Sequence, residues 1–185
     1  MESGKQETRW VLRAQSGDRQ ALDSLLRTVQ QPLYRYLLRL LSDSALAEDV
    51  LQDVFLLIYR KLRWLQDPGL FRSWAYRIAS REAFRSLKKE RRWRQSLQEQ
   101  DALQHLAAPC AAEPGTELID QLPHLAQKVS PASRAVLILH YLHGMTLQEA
   151  ADVLGVGLGT AKSRLAYGLK SLRKAVKSPL GQDTT

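Results

Sequence analysis

Few residues in this chain could do covalent chemistry. Four histidines, His105, His124, His140 and His143, and one cysteine, Cys110, are its candidates for metal ligation or nucleophilic work. Only His140 and His143 stand at helical spacing, and no nearby Glu or Cys completes a metal site, so both read as ordinary helix residues. A single thiol forms neither an internal disulfide nor a cysteine-based zinc site. No glycine-rich phosphate loop follows a strand, and no Gly-x-Ser-x-Gly elbow is present. No catalytic residue, metal or cofactor is expected, and the chain is not expected to be an enzyme.

The spacing that carries chemistry is that of charge. Between Arg72 and Arg94 stand Arg77, Arg81, Arg85, Lys88, Lys89, Arg91 and Arg92 against Glu82 and Glu90, interleaved with Trp74, Tyr76, Phe84 and Trp93. Cations alone suit duplex phosphates. Cations mixed with aromatics suit a separated strand, whose bases stack on rings at ~1–3 kcal/mol each. Phe71 and Trp74 read as core; Arg72, Arg77, Arg81, Arg85, Lys88, Lys89 and Arg92 read as strand contacts. A second basic stretch, 157–177, holds Lys162, Arg164, Lys170, Arg173, Lys174 and Lys177 and no acid. Its outer face presents Thr160, Lys162, Ser163 and Tyr167, which can reach base edges and phosphates. Against this background Asp49, Gln52 and Asp53 form an acidic patch on one helix face. Two readings of it stay open: a contact for a partner's basic groove, or acids complementing the helix dipole.

Helices must position these groups, because apolar residues recur at three and four rather than two. One stripe runs Leu22, Leu25, Leu26, Val29, Leu33, Tyr36, Leu37, Leu40, with Pro32 predicting a kink or restart. A second runs Leu46, Val50, Leu51, Val54, Phe55, Ile58, Leu62, Leu65. Asp67-Pro68-Gly69 is a turn, and a third helix carries Leu70 to Leu87 before dissolving into the basic run at 88–94. Ser130-Pro131 opens the next unit as N-cap and first-turn proline. Thr146-Leu147-Gln148-Glu149 is a capping box, Gly155-Val156-Gly157 turns the chain, and a last helix spans about Leu158 to Val176. A short capped helix, a glycine turn and a longer helix are the layout of a helix-turn-helix. The expected fold is all-α: an N-terminal helical bundle over 1–95, a flexible linker over 96–115, and a helix-turn-helix domain over 116–185.

The totals agree. With 185 residues, 44% of them hydrophobic, the chain can bury real cores. A net charge of +8 calls for a polyanionic partner, nucleic acid or an acidic membrane surface. The segment 95–127 carries Glu99, Asp101, Glu113, Glu117 and Asp120 but no Lys or Arg, an acidic tether between basic halves. The N-terminus lacks a signal peptide's apolar core, and apolar stretches are interrupted well before the ~20 residues of a membrane span. A cytoplasmic chain, not inserted in a membrane, is expected.

This order of parts resembles the extracytoplasmic-function (ECF) group of the bacterial sigma factor family. AEDVLQDVFLLIYRKL at 47–62, FRSWAYRIASREAFRSLKKERR at 71–92 and SPASRAVLILHYLHGMTLQEAADVLGVGLGTAKSRLAYGLKSLRKAV at 130–176 carry the resemblance. It implies core RNA polymerase as partner, with Asp49, Gln52, Asp53 and Phe55 on the clamp helices of its largest subunit. It implies promoter DNA as the second partner. The 71–92 helix would hold the melted non-template strand of the −10 element. The last helix would read the −35 duplex through Thr160, Lys162, Ser163, Arg164, Tyr167 and Lys170. An anti-sigma factor is the third implied partner, and the free chain is expected to be a monomer. The sequence departs from the family in having Arg81 and Arg85 where an Asn and an Asp are usual. It also has Ala166-Tyr167-Gly168-Leu169 where His-Arg-Ala-Arg is usual, which removes two cations and adds a helix-weakening glycine. Rival readings are a sigma-like decoy for an anti-sigma factor and a stand-alone helix-turn-helix repressor, a class that dimerises on palindromic sites.

Overall fold

A computed structural model describes residues 2–101 and 129–177, and no strand occurs among them. The helices are α1 (Glu2–Gln15), α2 (Arg19–Leu41), α3 (Ser44–Lys61), α4 (Phe71–Asp101), α5 (Pro131–Leu137), α6 (Leu147–Leu154) and α7 (Leu158–Lys177). Two 3₁₀ turns, Leu62–Trp64 and Pro68–Leu70, join α3 to α4, and a π-helical turn, Ile138–Leu142, extends α5. The all-α class and the helix-turn-helix are as the sequence predicts.

Five starts have a side-chain cap. Asp18 accepts from the Ala21 N–H, Asp43 from Leu46, Asp67 from Gly69 and Ser130 from Ser133. Thr146 and Glu149 form the reciprocal capping box, and Gly155 closes α6 at φ 65°, a left-handed conformation glycine adopts without a Cβ penalty.

Three features differ from expectation. α1 was not foreseen: it is polar except for Trp10, Val11, Leu12 and Ala14, and it is held by contacts a pattern cannot show. Buried Glu7 accepts from Arg72 Nε at 2.8 Å, and Gln15 donates to the Leu62 and Leu65 carbonyls at 3.0 and 2.8 Å. α2 passes through Pro32 without restarting. α4 does not dissolve at Lys88 but continues to Asp101, because Lys, Arg, Gln and Glu are good helix formers and need no core beneath them.

The core is built from Leu25, Val29, Leu33, Tyr36 and Leu37 of α2, Val50, Val54 and Ile58 of α3, and Phe71, Ala75, Ala79 and Ala83 of α4. It does not stop there. Ala135, Ile138 and Leu139 of the α5 segment and Ala150 and Val153 of α6 belong to the same buried cluster. α6 lies against α4, and α5 against the end of α2. The sequence expected two units on a flexible tether; the described residues form two units in contact. Residues 102–128, which hold most of the expected linker and Cys110, lie outside the described ones.

Candidate nucleic-acid interface

α4 displays its cations in one line. At about 100° per residue, Arg77, Arg81, Arg85, Lys88, Lys89 and Arg92 fall within roughly a third of the helix circumference. Five of the six are exposed and Arg77 is half-buried. Arg85 also pairs with Glu82 at 3.0 Å, tying an exposed guanidinium to a carboxylate that is itself buried. Arg72 is not part of this line. It sits on the opposite side, ion-paired to Glu7 at 2.8 Å, and holds α1 on the bundle. Arg63, stacked 4.0 Å over the exposed Trp64 ring in the turn before α4, is a cation–aromatic pair that the sequence reading passed over as a connection.

α3 sets its acids on the outside. Asp49, Gln52 and Asp53 are exposed, whereas Phe55 is half-buried against the core. The exposed apolar residues on that face are Leu56, 49% accessible, and Tyr59, 66% accessible. They follow Asp53 at helical spacing, so the face is acidic in its first half and apolar in its second. Spacing from Asp49 and Gln52 through Leu56 to Tyr59 could have shown this. Phe55, a contact implied by the resemblance, is turned inward by its register. Near the start of α3 and the end of α4, Asp49, Asp53, Lys89 and Arg92 line one groove of about 740 Å³. The acidic face and the cation line therefore meet at a shared wall.

α7 buries Ala161, Gly168 and Ala175 and turns Thr160, Ser163, Tyr167 and Lys170 outward as one strip. Lys162 is exposed on its flank, and Arg164 is half-buried at its edge. Gly168, which read as a weak point, has a packing reason. A Cβ there would stand 2.7 Å from Leu137 Cδ1, so α7 crosses α5 at a distance only glycine allows.

Between the units lies a polar cluster. Tyr36 donates to Ser80 Oγ at 2.7 Å, and Ser80 donates to the Tyr76 carbonyl at 2.8 Å. The Tyr76 hydroxyl meets His143 Nδ1 at 2.7 Å, and His143 Nε2 is buried without a partner. Burial, with a smaller push from Arg39, holds the His143 ring below its ordinary pKa, and burial pushes the Tyr76 hydroxyl up to about 12. His140 contacts the Met145 carbonyl at 2.7 Å. Neither histidine has a ligand set: among the described residues no group of three or more His, Cys, Asp or Glu could hold a metal.

The bundle thus presents a cation line and an acidic face, and it packs against a helix-turn-helix whose last helix carries an exposed polar strip. Residues 25–93 match sigma-70 region 2, and residues 125–174 match sigma-70 region 4. The RNA polymerase sigma-H factor of Pseudomonas aeruginosa is 27% identical over 183 residues, covering 94% of this chain and 95% of that protein. The ECF RNA polymerase sigma factor SigL of Mycobacterium tuberculosis is 31% identical over 144 residues, covering 76% and 80%. The co-crystal structure of sigma factor RpoE with the anti-sigma factor NepR from Bartonella quintana holds a similar fold, with a TM-score of 0.68 at 23% identity over 85% of this chain and 98% of that one. The chain belongs to the ECF group of the sigma-70 family. These relatives are RNA polymerase sigma factors by name, and among the described residues no helix is long and apolar enough to cross a membrane.

Proposed function

We propose that this chain binds core RNA polymerase and directs it to particular promoters from the compartment in which polymerase works, the cytoplasm. The outer face of α3 makes the polymerase contact, with Asp49, Gln52 and Asp53 meeting basic residues and Leu56 and Tyr59 adding apolar area. Arg77, Arg81, Arg85, Lys88, Lys89 and Arg92 line up along the phosphates of the separated −10 strand. Thr160, Ser163, Tyr167 and Lys170, flanked by Lys162 and Arg164, enter the major groove of the −35 duplex. Region 2 corresponds to the bundle, region 4 to the helix-turn-helix, and the segment between them to the tether. An anti-sigma factor is the expected regulatory partner, in keeping with the complex in which the similar fold was solved.

The observation that carries this reading is the groove that Asp49 and Asp53 share with Lys89 and Arg92. It puts a protein-facing surface and a strand-facing one on two packed helices, so docking polymerase fixes where the strand must lie. The test is co-precipitation with core polymerase, comparing the native chain with Asp49→Arg/Asp53→Arg. Both positions are exposed, so the variant keeps its helices. Stoichiometric binding lost on charge reversal is expected. Binding retained by the variant removes α3 from the interface, and no binding by the native chain overturns the reading.

A further inference from the structure

α7 is divided along its length by what its exposed residues can do. The outer face of its first half carries Thr160, Ser163, Ala166 and Tyr167, all exposed and none charged. Lys170, Arg173 and Lys174 follow in the second half, also exposed. Lys162 lies ~100° round the helix from Ser163 and ~140° from Tyr167, so it points to one side of the strip. A recognition helix sets its N-terminal residues against base edges, and cations beside and beyond them meet phosphates. The half of α7 that would meet bases is therefore the uncharged half. Tyr167 is its largest side chain and is 68% exposed. Ser163 Oγ donates to the Thr160 carbonyl at 2.9 Å. Its proton is used within the helix, and towards a partner that oxygen can only accept.

These groups suit some base edges and not others. Guanine is read by paired hydrogen bonds from Arg or Lys, and adenine by those of Asn or Gln; the uncharged half has none of the four. An accepting Ser163 fits the N6 amino group of adenine or the N4 amino group of cytosine. The Thr160 methyl, the Ala166 methyl and the Tyr167 ring fit the C5-methyl group of thymine. Among the ordinary base pairs, A·T alone offers an amino donor and a methyl group together. We infer that α7 reads its element through thymine methyl groups, with Tyr167 as the specificity-determining residue and A·T pairs as the class of sequence taken. The inference rests on the reading of α7 as the −35 helix and names what that helix selects. Lys170, Arg173 and Lys174 hold phosphates whatever the sequence, so they supply affinity and Tyr167 supplies choice.

Selection with the full chain tests this. Core polymerase carrying the chain captures duplexes from a pool randomised over the upstream element. Recovered sequences are then rebuilt with deoxyuridine in place of each thymine in turn, which deletes the methyl group and nothing else. The native chain should enrich A·T pairs, and uridine at one of them should weaken capture about fourfold, the factor carried by one buried methyl-sized group. Tyr167→Phe should keep that loss, Tyr167→Ala should abolish it, and Tyr167→Arg should move the preference there to guanine. The side chain is exposed, so all three variants keep the helix, which circular dichroism checks. Enrichment of guanine by the native chain, equal capture of thymine and uridine forms, or a uridine loss that survives Tyr167→Ala overturns the inference and leaves α7 as the −35 helix. Capture without enrichment of any sequence, or no capture, overturns the −35 reading, and the inference falls with it.

Discussion

Replacing Gly168 with alanine separates two physical effects by the sign of one number. Position 168 is mid-helix in α7, where alanine is favoured over glycine by ~1 kcal/mol on propensity alone. The new methyl would fall 2.7 Å from Leu137 Cδ1, 3.2 Å from Leu137 Cγ and 3.4 Å from Ser133 Cβ. Ordinary carbon contacts are ~3.5–4.0 Å, so Leu137 must move by most of an ångström. It has little room: Leu137 is 9% exposed, with Val136, Ile138 and Leu139 buried beside it where α5 passes into the π-helical turn. Overpacking of this kind costs ~1–3 kcal/mol. The net expectation is destabilisation by ~1 kcal/mol, a fall in Tm of ~2–4 °C for a chain this long. Thermal and urea unfolding followed by circular dichroism measure it. In a Leu137→Ala background the clash is gone, and the same substitution should be neutral or stabilising, a coupling of ~1–2 kcal/mol between neighbours. A Gly168→Ala chain stabilised by the full propensity value, with no coupling to Leu137, would refute the close-crossing account.

Further perturbations address the other surfaces. Arg81→Ala/Arg85→Ala should lower the salt slope of single-strand binding by about 1.4, at ~0.7 per cation removed, whereas Arg72→Ala should leave the slope unchanged and loosen α1; equal slopes for all three chains would dissolve the cation line. His143 is held below its ordinary value of 6.5 by burial and by Arg39, so the contact between the units needs a neutral ring. That contact should be complete above about pH 6.5 and weaken as pH falls from there towards the lower value of the packed ring. The facing Tyr76 and Tyr36 hydroxyls, both pushed up by burial, do not titrate in that window. Energy transfer between dyes on α2 and α7 that stays flat between pH 8 and pH 5, or a His143→Gln chain that keeps the pH response, would assign the effect elsewhere. Thr146→Ala removes the capping box and should cost ~1 kcal/mol, read as faster amide exchange in α6.

Local signals were legible wherever one residue type performs one local task. Ser130 and the Thr146–Glu149 pair cap the segments the sequence assigned them, because a cap is a contact within three residues. The cation line on α4 and the exposed polar strip on α7 follow from helical period alone. What could not be read depends on contacts far apart in the chain. α1 is held by Glu7–Arg72 and by the Gln15 side chain, 65 and at least 47 residues from their partners. Arg72 looked like one more strand contact for the same reason: its partner is in another element. Phe55 stood both in the apolar stripe of the second helix and among the polymerase contacts that the resemblance implies; beside buried Val54 and Ile58 it turns inward and leaves Leu56 and Tyr59 exposed. Gly168 could not be understood without knowing that α5 crosses beneath it.

The contact between the units has a chemistry that sets its strength. Burying a guanidinium costs solvation that its hydrogen bonds largely offset rather than exceed, so Arg134, which donates to the Leu40 and Val129 carbonyls and to Ser42 Oγ, contributes more to where the units dock than to how firmly. What holds them is the apolar contact around Ala150 and Val153, and a helix-turn-helix this small is marginal without such a neighbour.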